Sequence, residues 1–263
     1  MAVSAKPGSE SNTRTILSRL WRRSSGNFKG HREHCAPGNQ QAAVKLVVRH
    51  VPPTSGVLDL GSGSGSMLAR VSEEGFRDLH GVERDLEVFG TPEKPGVEGP
   101  SFLELDLNDD FASHFARRFS LIISSEVIEH LDSPRDFLRQ ASLLLDEGGH
   151  LLLTTPNVAN WVGRLRFLVL GDLRWFDAPC YARIRHITPI TDAQMRGMLP
   201  ELGFEMVATT SAGSFMGPLQ VLLTAPLSLP FVALFGRRGW GDCNIYLARK
   251  RAPFRLESAA TQR

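Results

Sequence analysis

Between residues 57 and 65 the chain reads Val-Leu-Asp-Leu-Gly-Ser-Gly-Ser-Gly, an apolar run that carries one acid, Asp59, into Gly61, Gly63 and Gly65. Glycines at such a turn let a ligand approach the backbone closely. The third glycine comes one position too early for the dinucleotide fingerprint, so the spacing disfavours a pyrophosphate. Two further acids follow: Glu83, 18 residues past Gly65, and Asp106, beside Leu107. A carboxylate at Glu83 can accept both hydroxyls of a ribose. Asp106 can accept an adenine amino proton while Leu107 packs on the ring, and Asp59 is placed to meet a cationic amino-acid end. The set describes a nucleoside with an ammonium group at its far end.

A second constellation begins at Ser125-Glu126-Val127-Ile128-Glu129-His130, with His186 far downstream in Arg185-His186-Ile187-Thr188. Two acids three apart, followed at once by His, can converge at a turn. Glu126, Glu129, His130 and His186 are the expected ligands of one divalent cation, Mg²⁺ by its taste for carboxylates or Mn²⁺ or Co²⁺ by the two imidazoles. A cation there would hold two neighbouring acceptor oxygens and lower the pKa of the one that reacts. The same residues also fit a metal-free base, His130 or His186, or a packing role. The cluster His31-Arg32-Glu33-His34-Cys35 is expected to be a lid segment or a solvated loop rather than a metal site.

The elements that must position these groups alternate. A helix is expected over 39–50, ended by Pro52-Pro53, and a strand runs into the glycine loop. A helix over 66–75 stops at Gly75, and strands follow at 79–85, 101–107 and 119–127. The segment 133–149 reads as a helix with Pro134 in its first turn and glycines at its stop, leading to a strand at 150–156. A capped helix over 191–204 precedes closing strands at 205–211 and 244–250. Short apolar strands alternating with helices predict an α/β domain with a parallel sheet covered on both faces.

With the glycine loop, Asp59, Glu83 and Asp106 in this order, the sequence over roughly 40–250 resembles the class I S-adenosylmethionine-dependent methyltransferases. The resemblance implies a Rossmann-like seven-stranded sheet whose last strand is antiparallel, and S-adenosylmethionine as cofactor. It implies Asp59, Gly61, Gly63 and Gly65 around the methionine part, Glu83 on ribose and Asp106 with Leu107 near adenine, with Ser125 also on the cofactor. The Glu-x-x-Glu-His run is similar to that of ubiquinone-biosynthesis O-methyltransferases. Together with a distant His it is also similar to the small-RNA 3′-terminal 2′-O-methyltransferases. The implied reaction is O-methylation of a small or lipid-linked hydroxylated acceptor, with His130 and His186 handling the hydroxyl. RNA 2′-O-methylation and a non-catalytic cofactor-binding partner subunit remain the alternatives. No basic-aromatic motif of the base-stacking kind is present, so a nucleic-acid partner is not expected.

The 30 basic and 28 acidic residues of the 263-residue chain hide an uneven distribution. Residues 1–50 sum to +7 and residues 51–160 to −11. The expected organisation is a flexible basic segment and lid over 1–38, the catalytic domain over 39–251 with apolar insertions near 160–185 and 212–240, and a loose tail over 252–263. From Met206 to Gly236 there is no charged side chain. That length alone would nominate a membrane span. Since its flanking strands should be neighbours, a surface-seated or re-entrant hairpin is expected instead. Basic, apolar outworks imply peripheral membrane contact, with a homodimer interface as the other use of such surface. Three scattered cysteines and the lack of an apolar leader predict a cytoplasmic setting. The Arg-rich segment 14–23 gives mitochondrial targeting as the weaker alternative.

Overall fold

The computed structural model describes residues 26–86 and 100–251. The Arg-rich segment 14–23 and the tail 252–263 lie outside them. A small hairpin, β1 (Asn27–Phe28) and β2 (His31–Arg32), precedes the domain. Then come α1 (Asn39–Val47), β3 (Val57–Leu60), α2 (Ser66–Glu73), β4 (Leu79–Glu83), β5 (Ser101–Glu104), β6 (Phe119–Ser125), α3 (Pro134–Leu144) and β7 (Leu145–Pro156). The second half holds α4 (Trp161–Leu170), α5 (Ala178–Ile184), α6 (Asp192–Glu201), β8 (Phe204–Ala212), α7 (Pro218–Phe235) and β9 (Cys243–Lys250).

Seven strands form one sheet in the order β5-β4-β3-β6-β7-β9-β8. All pairs are parallel except those of β9, which runs antiparallel to both β7 and β8. Alternate strand residues face opposite layers. Leu58, Leu60 and Ile122 join α3 and α6 on one side. Val57, Leu121 and Ile123 join α1 and α2 on the other. Burial on both faces explains why these strands read as unbroken apolar runs. The chain order reverses between β3 and β6, and a sheet of this kind binds ligands outside the strand C-termini at that switch point.

Two expected elements differ from what the structure shows. The helix expected over 133–149 ends at Leu144, and Leu145 turns into extended backbone to pair with Phe119. The glycines thought to stop the helix sit inside strand β7, where Gly148 takes φ +78° beside Arg249. The helix end is instead held by a buried cation. Lys250 Nζ donates to the carbonyls of Ser142 and Leu145 at 2.9 and 3.0 Å and pairs with Glu147 at 3.0 Å. The hairpin expected within 206–236 is a single 18-residue helix, α7, with Pro226 and Pro230 inside it.

Removing the Lys250 ammonium strands two buried carbonyls, so Lys250→Met should cost about 2 kcal/mol. That corresponds to a melting temperature about 4–8 °C lower in a thermal scan. An unchanged melting temperature would show that this cap contributes nothing.

Candidate active site

At the C-terminal ends of β3, β4 and β6 a cleft of about 940 Å³ opens, lined on one side by Gly61, Gly63, Glu83, Asp106 and Leu107. His130, Trp175, His186 and Phe215 line the other side. A smaller pocket of about 40 Å³ adjoins it, reaching Asp59 between the glycine loop and α2. The loop is shaped by left-handed backbone: φ is +80° at Gly61, +51° at Gly63 and +76° at Gly65. A Cβ on Gly61 would stand 2.4 Å from Val127 Cγ2, so a side chain is excluded there twice over. Gly65 lines neither pocket and serves as the N-cap of α2.

Asp59 is 1% exposed, and neither carboxylate oxygen has a hydrogen-bond partner. Burial, and next the negative charge of Glu83, push its pKa up to about 8. A sealed carboxylate in this state is neutralised either by a proton or by a cation delivered into its pocket. Glu83 at the end of β4 accepts the Gly63 N–H through one oxygen and the Arg84 N–H through the other, both at 2.8 Å. That fixes the carboxylate while leaving lone pairs for a diol. Asp106 lies on the loop after β5 rather than on the strand, holding the Asn108 N–H at 2.9 Å. Ser125 ends β6, its hydroxyl 3.0 Å from that of Thr154. The donor set fits S-adenosylmethionine: an unpaired carboxylate for the ammonium, glycines for close approach, and a carboxylate held at the ribose position.

The hairpin β1–β2 closes over the glycine loop. His31 Nδ1 meets the Ser64 carbonyl, the Ser64 hydroxyl donates to the Arg32 carbonyl at 2.6 Å, and Arg70 pairs with buried Glu33 at 2.5 Å. The segment it leads into places His34 and Cys35 on both pockets. The cluster was expected to be a substrate-facing lid segment or a solvated loop, and His34 and Cys35 stand on the pocket walls.

The second constellation converges in part. One ligand-capable atom each from Glu129, His130 and His186 lies within 4.8 Å of the other two. The imidazole centroids are 4.7 Å apart. His130 Nδ1 donates to the Arg185 carbonyl at 3.1 Å, and His186 Nδ1 donates to the Trp175 carbonyl at 2.9 Å. Each ring therefore keeps Nε2 as its lone pair. Burial, then His130, lowers the His186 pKa to about 4, and burial also lowers that of His130. Glu129 is fully buried. One of its oxygens accepts the Thr155 hydroxyl at 3.0 Å and the other has no partner. Burial and the neighbouring Glu126 raise its pKa well above the usual carboxylate range.

Glu126 is not brought into this group. It lines the same cleft, but its backbone takes φ +58° and its side chain accepts from Thr154 Oγ1 at 2.8 Å, Asn39 Nδ2 at 3.4 Å and Cys243 Sγ at 3.4 Å. Burial raises its pKa to about 7. Trp175 (φ +73°) and Arg185 (φ +58°) are also left-handed, and both supply the carbonyls that orient the histidines. Such backbone costs about 1–3 kcal/mol per residue and persists where the surroundings enforce it, commonly at sites of function. Asn39, Thr154, Thr155 and Trp175 were not assigned a role from sequence. Their part is to hold other side chains, and nothing in the order of residues signals that.

A family profile described as a methyltransferase domain matches residues 31–209. The chain is 26% identical over 180 residues to a ubiquinone biosynthesis O-methyltransferase of Azorhizobium caulinodans, covering 65% of this chain and 67% of that protein. An S-adenosylmethionine-dependent methyltransferase structure from Mesorhizobium loti superposes with a TM-score of 0.51 at 16% identity, over 80% of this chain and 99% of that one. The magnesium protoporphyrin IX methyltransferase of Synechocystis PCC 6803, solved with bound SAH, gives 0.51 at 16% identity over 91% and 95%. These two structures share the fold.

The state of Asp59 makes a paired prediction. Its folded pKa lies above the unfolded value, so it favours the folded state only at low pH, and that contribution is lost as pH rises from about 4 to about 8. Asp59→Asn should therefore raise the melting temperature of the ligand-free protein at pH 8 by about 2–4 °C, for each kcal/mol relieved. By calorimetry it should also weaken S-adenosylmethionine binding at least about tenfold. Unchanged affinity would remove Asp59 from the cofactor site. With a cleft at the strand C-termini, β9 reversed in the sheet and the methyltransferase-domain profile matching residues 31–209, the chain belongs to the class I S-adenosylmethionine-dependent methyltransferases.

Proposed function

We propose that the protein is an O-methyltransferase acting on a small or lipid-linked hydroxylated acceptor, with Glu129, His130 and His186 holding a divalent cation that engages the reacting hydroxyl. The observation that carries this reading is the convergence itself. Two imidazoles fixed with Nε2 unprotonated stand within 4.8 Å of a buried carboxylate that has one oxygen unpartnered. A general base would need one histidine, whereas a cation uses all three groups. With Glu126 outside the group, one carboxylate and two imidazoles favour Mn²⁺ or Co²⁺ over Mg²⁺. The 26% identity to a ubiquinone biosynthesis O-methyltransferase is compatible with a hydroxylated ring as acceptor.

S-adenosylmethionine, when bound, supplies a methyl group already activated on a sulfonium, so the chain's own task is alignment and removal of the acceptor's proton. Asp59 would take the ammonium, Glu83 the ribose hydroxyls, and Asp106 with Leu107 the base. Trp175 and Phe215, 5.4 Å apart, wall the acceptor end of the cleft and keep water from the reacting oxygen. His130 and His186 lie on that same wall. Their backbone-fixed tautomers leave both Nε2 lone pairs available to hold a cation, which would acidify the acceptor hydroxyl so that its proton is lost to solvent before methyl transfer. Three unpaired, buried cysteines support a reducing compartment, the cytoplasm, as the setting.

Stripping divalent ions with EDTA, followed by gel filtration, should abolish turnover of a catechol probe while leaving S-adenosylhomocysteine affinity intact. Mn²⁺ or Co²⁺ should restore it. His186→Ala should lower activity at fixed Mn²⁺ by about 10–100-fold. Full activity in the stripped enzyme, measured as S-adenosylhomocysteine release, would contradict the cation.

A further inference from the structure

The helix α7 has no charged residue along its whole length, and only Ser228 is buried. Leu222 is 71% exposed and Leu234 76%. Beside it, the last turn of α4 exposes Phe167, Leu168, Val169 and Leu170, with Leu168 at 80%. The two helices pack as a unit: Arg164 of α4 lies 4.0 Å over the Phe235 ring, and Trp161 stacks on Trp240 at 6.5 Å. An apolar face of this extent marks an interaction surface.

Three observations decide what covers it. First, α7 cannot be a span. The Asp242 N–H donates to the Gly213 carbonyl at 3.0 Å, so the excursion leaves and rejoins the sheet at one point. Residues 236–242 would have to recross about 30 Å of hydrocarbon, and seven residues reach only about 25 Å. The helix, about 27 Å long, lies along a surface. Second, that surface is set in positive charge. Residues 161–185 carry five arginines against two acids. Arg166 is paired with Asp172 and Asp177 and Arg174 with Asp242, so the excess is carried by the exposed Arg164, Arg183 and Arg185. Third, the face runs into the acceptor end of the cleft. Phe215 lines the cleft two residues before Gly217, the N-cap of α7, and Ile184 and Arg185 at the end of α5 line it too. An apolar helix with exposed arginines beside it is what an anionic bilayer surface binds.

We infer that α4 and α7 together seat the enzyme on an anionic phospholipid bilayer, with the acceptor end of the cleft at the membrane surface. The seat itself is independent of the metal and of O-methylation; the delivery of a lipid-linked acceptor through it rests on the proposed function.

The test uses the full chain and sucrose-loaded vesicles of phosphatidylcholine, with or without one third phosphatidylglycerol. The protein should pellet with the anionic vesicles, and high salt should weaken the binding. Combined Leu168→Asp and Leu222→Asp should reduce it at least about tenfold, with S-adenosylhomocysteine affinity kept within about twofold. Quenching of the wild-type tryptophans by brominated lipid gives a readout that needs no variant. Failure to pellet overturns the inference, as does binding that the double variant leaves untouched. A wild-type dimer that the double variant converts to monomer, without vesicle binding, would assign the face to a second copy of the chain instead. Because vesicle binding needs neither acceptor nor cation, its failure leaves the proposed reaction standing, and the converse also holds.

Discussion

A carboxylate sealed inside a protein without a partner is the constraint around which this domain is arranged. Asp59 sits on the interior strand β3, with both oxygens unsatisfied and its ionised form opposed by burial and by Glu83. Placing it there destabilises the ligand-free fold and is tolerated because the surrounding sheet is packed on both faces. The same geometry gives the cofactor pocket its selectivity. A ligand that brings a positive charge to Asp59 relieves the desolvation, whereas a neutral one of the same shape leaves it.

The acceptor side uses a different device. The histidines are oriented by backbone carbonyls, and the residues that offer those carbonyls, Trp175 and Arg185, are themselves in left-handed conformation. Glu129 fixes the second part of the site through its main chain, since its carbonyl accepts the N–H groups of Ile187 and Thr188 at 3.0 Å. The segment carrying His186 is thereby stitched to the one carrying His130 across more than fifty residues of sequence. Strand β9, reversed between β7 and β8, contributes Cys243 to the pocket of Glu126 and closes the sheet where α7 leaves it.

The parallel strands, the glycine loop and Glu83 at the end of β4 were legible in the sequence because each depends on local pattern: apolar runs, glycine spacing, and an acid at a strand terminus; Asp106 lies past the end of β5. The helix expected over 133–149 was misread because its true stop is Lys250, a residue more than a hundred positions away that caps Ser142 and Leu145. The run Glu126-Val127-Ile128-Glu129-His130, with His186, promised four converging ligands, but the Glu126 side chain, on left-handed backbone, bonds to Thr154 and Asn39 instead. Spacing shows which residues are neighbours along the chain. Which way each one points is settled by hydrogen bonds from other strands, and a hairpin was expected within 206–236 because its flanking strands are neighbours, whereas residues 236–242 alone make that return after a single 18-residue helix.

The central claim, that Asp59 waits in protonated form for a cationic ligand, is tested most directly by counting protons on binding. Titrating S-adenosylhomocysteine into the protein at pH 7 in buffers of different ionisation enthalpy gives the number exchanged. An Asp59 pKa near 8 that falls once an ammonium arrives requires release of between about half a proton and one. Binding with no net proton release at pH 7 would mean that Asp59 is already ionised in the free protein or never meets the ammonium, and would contradict the account.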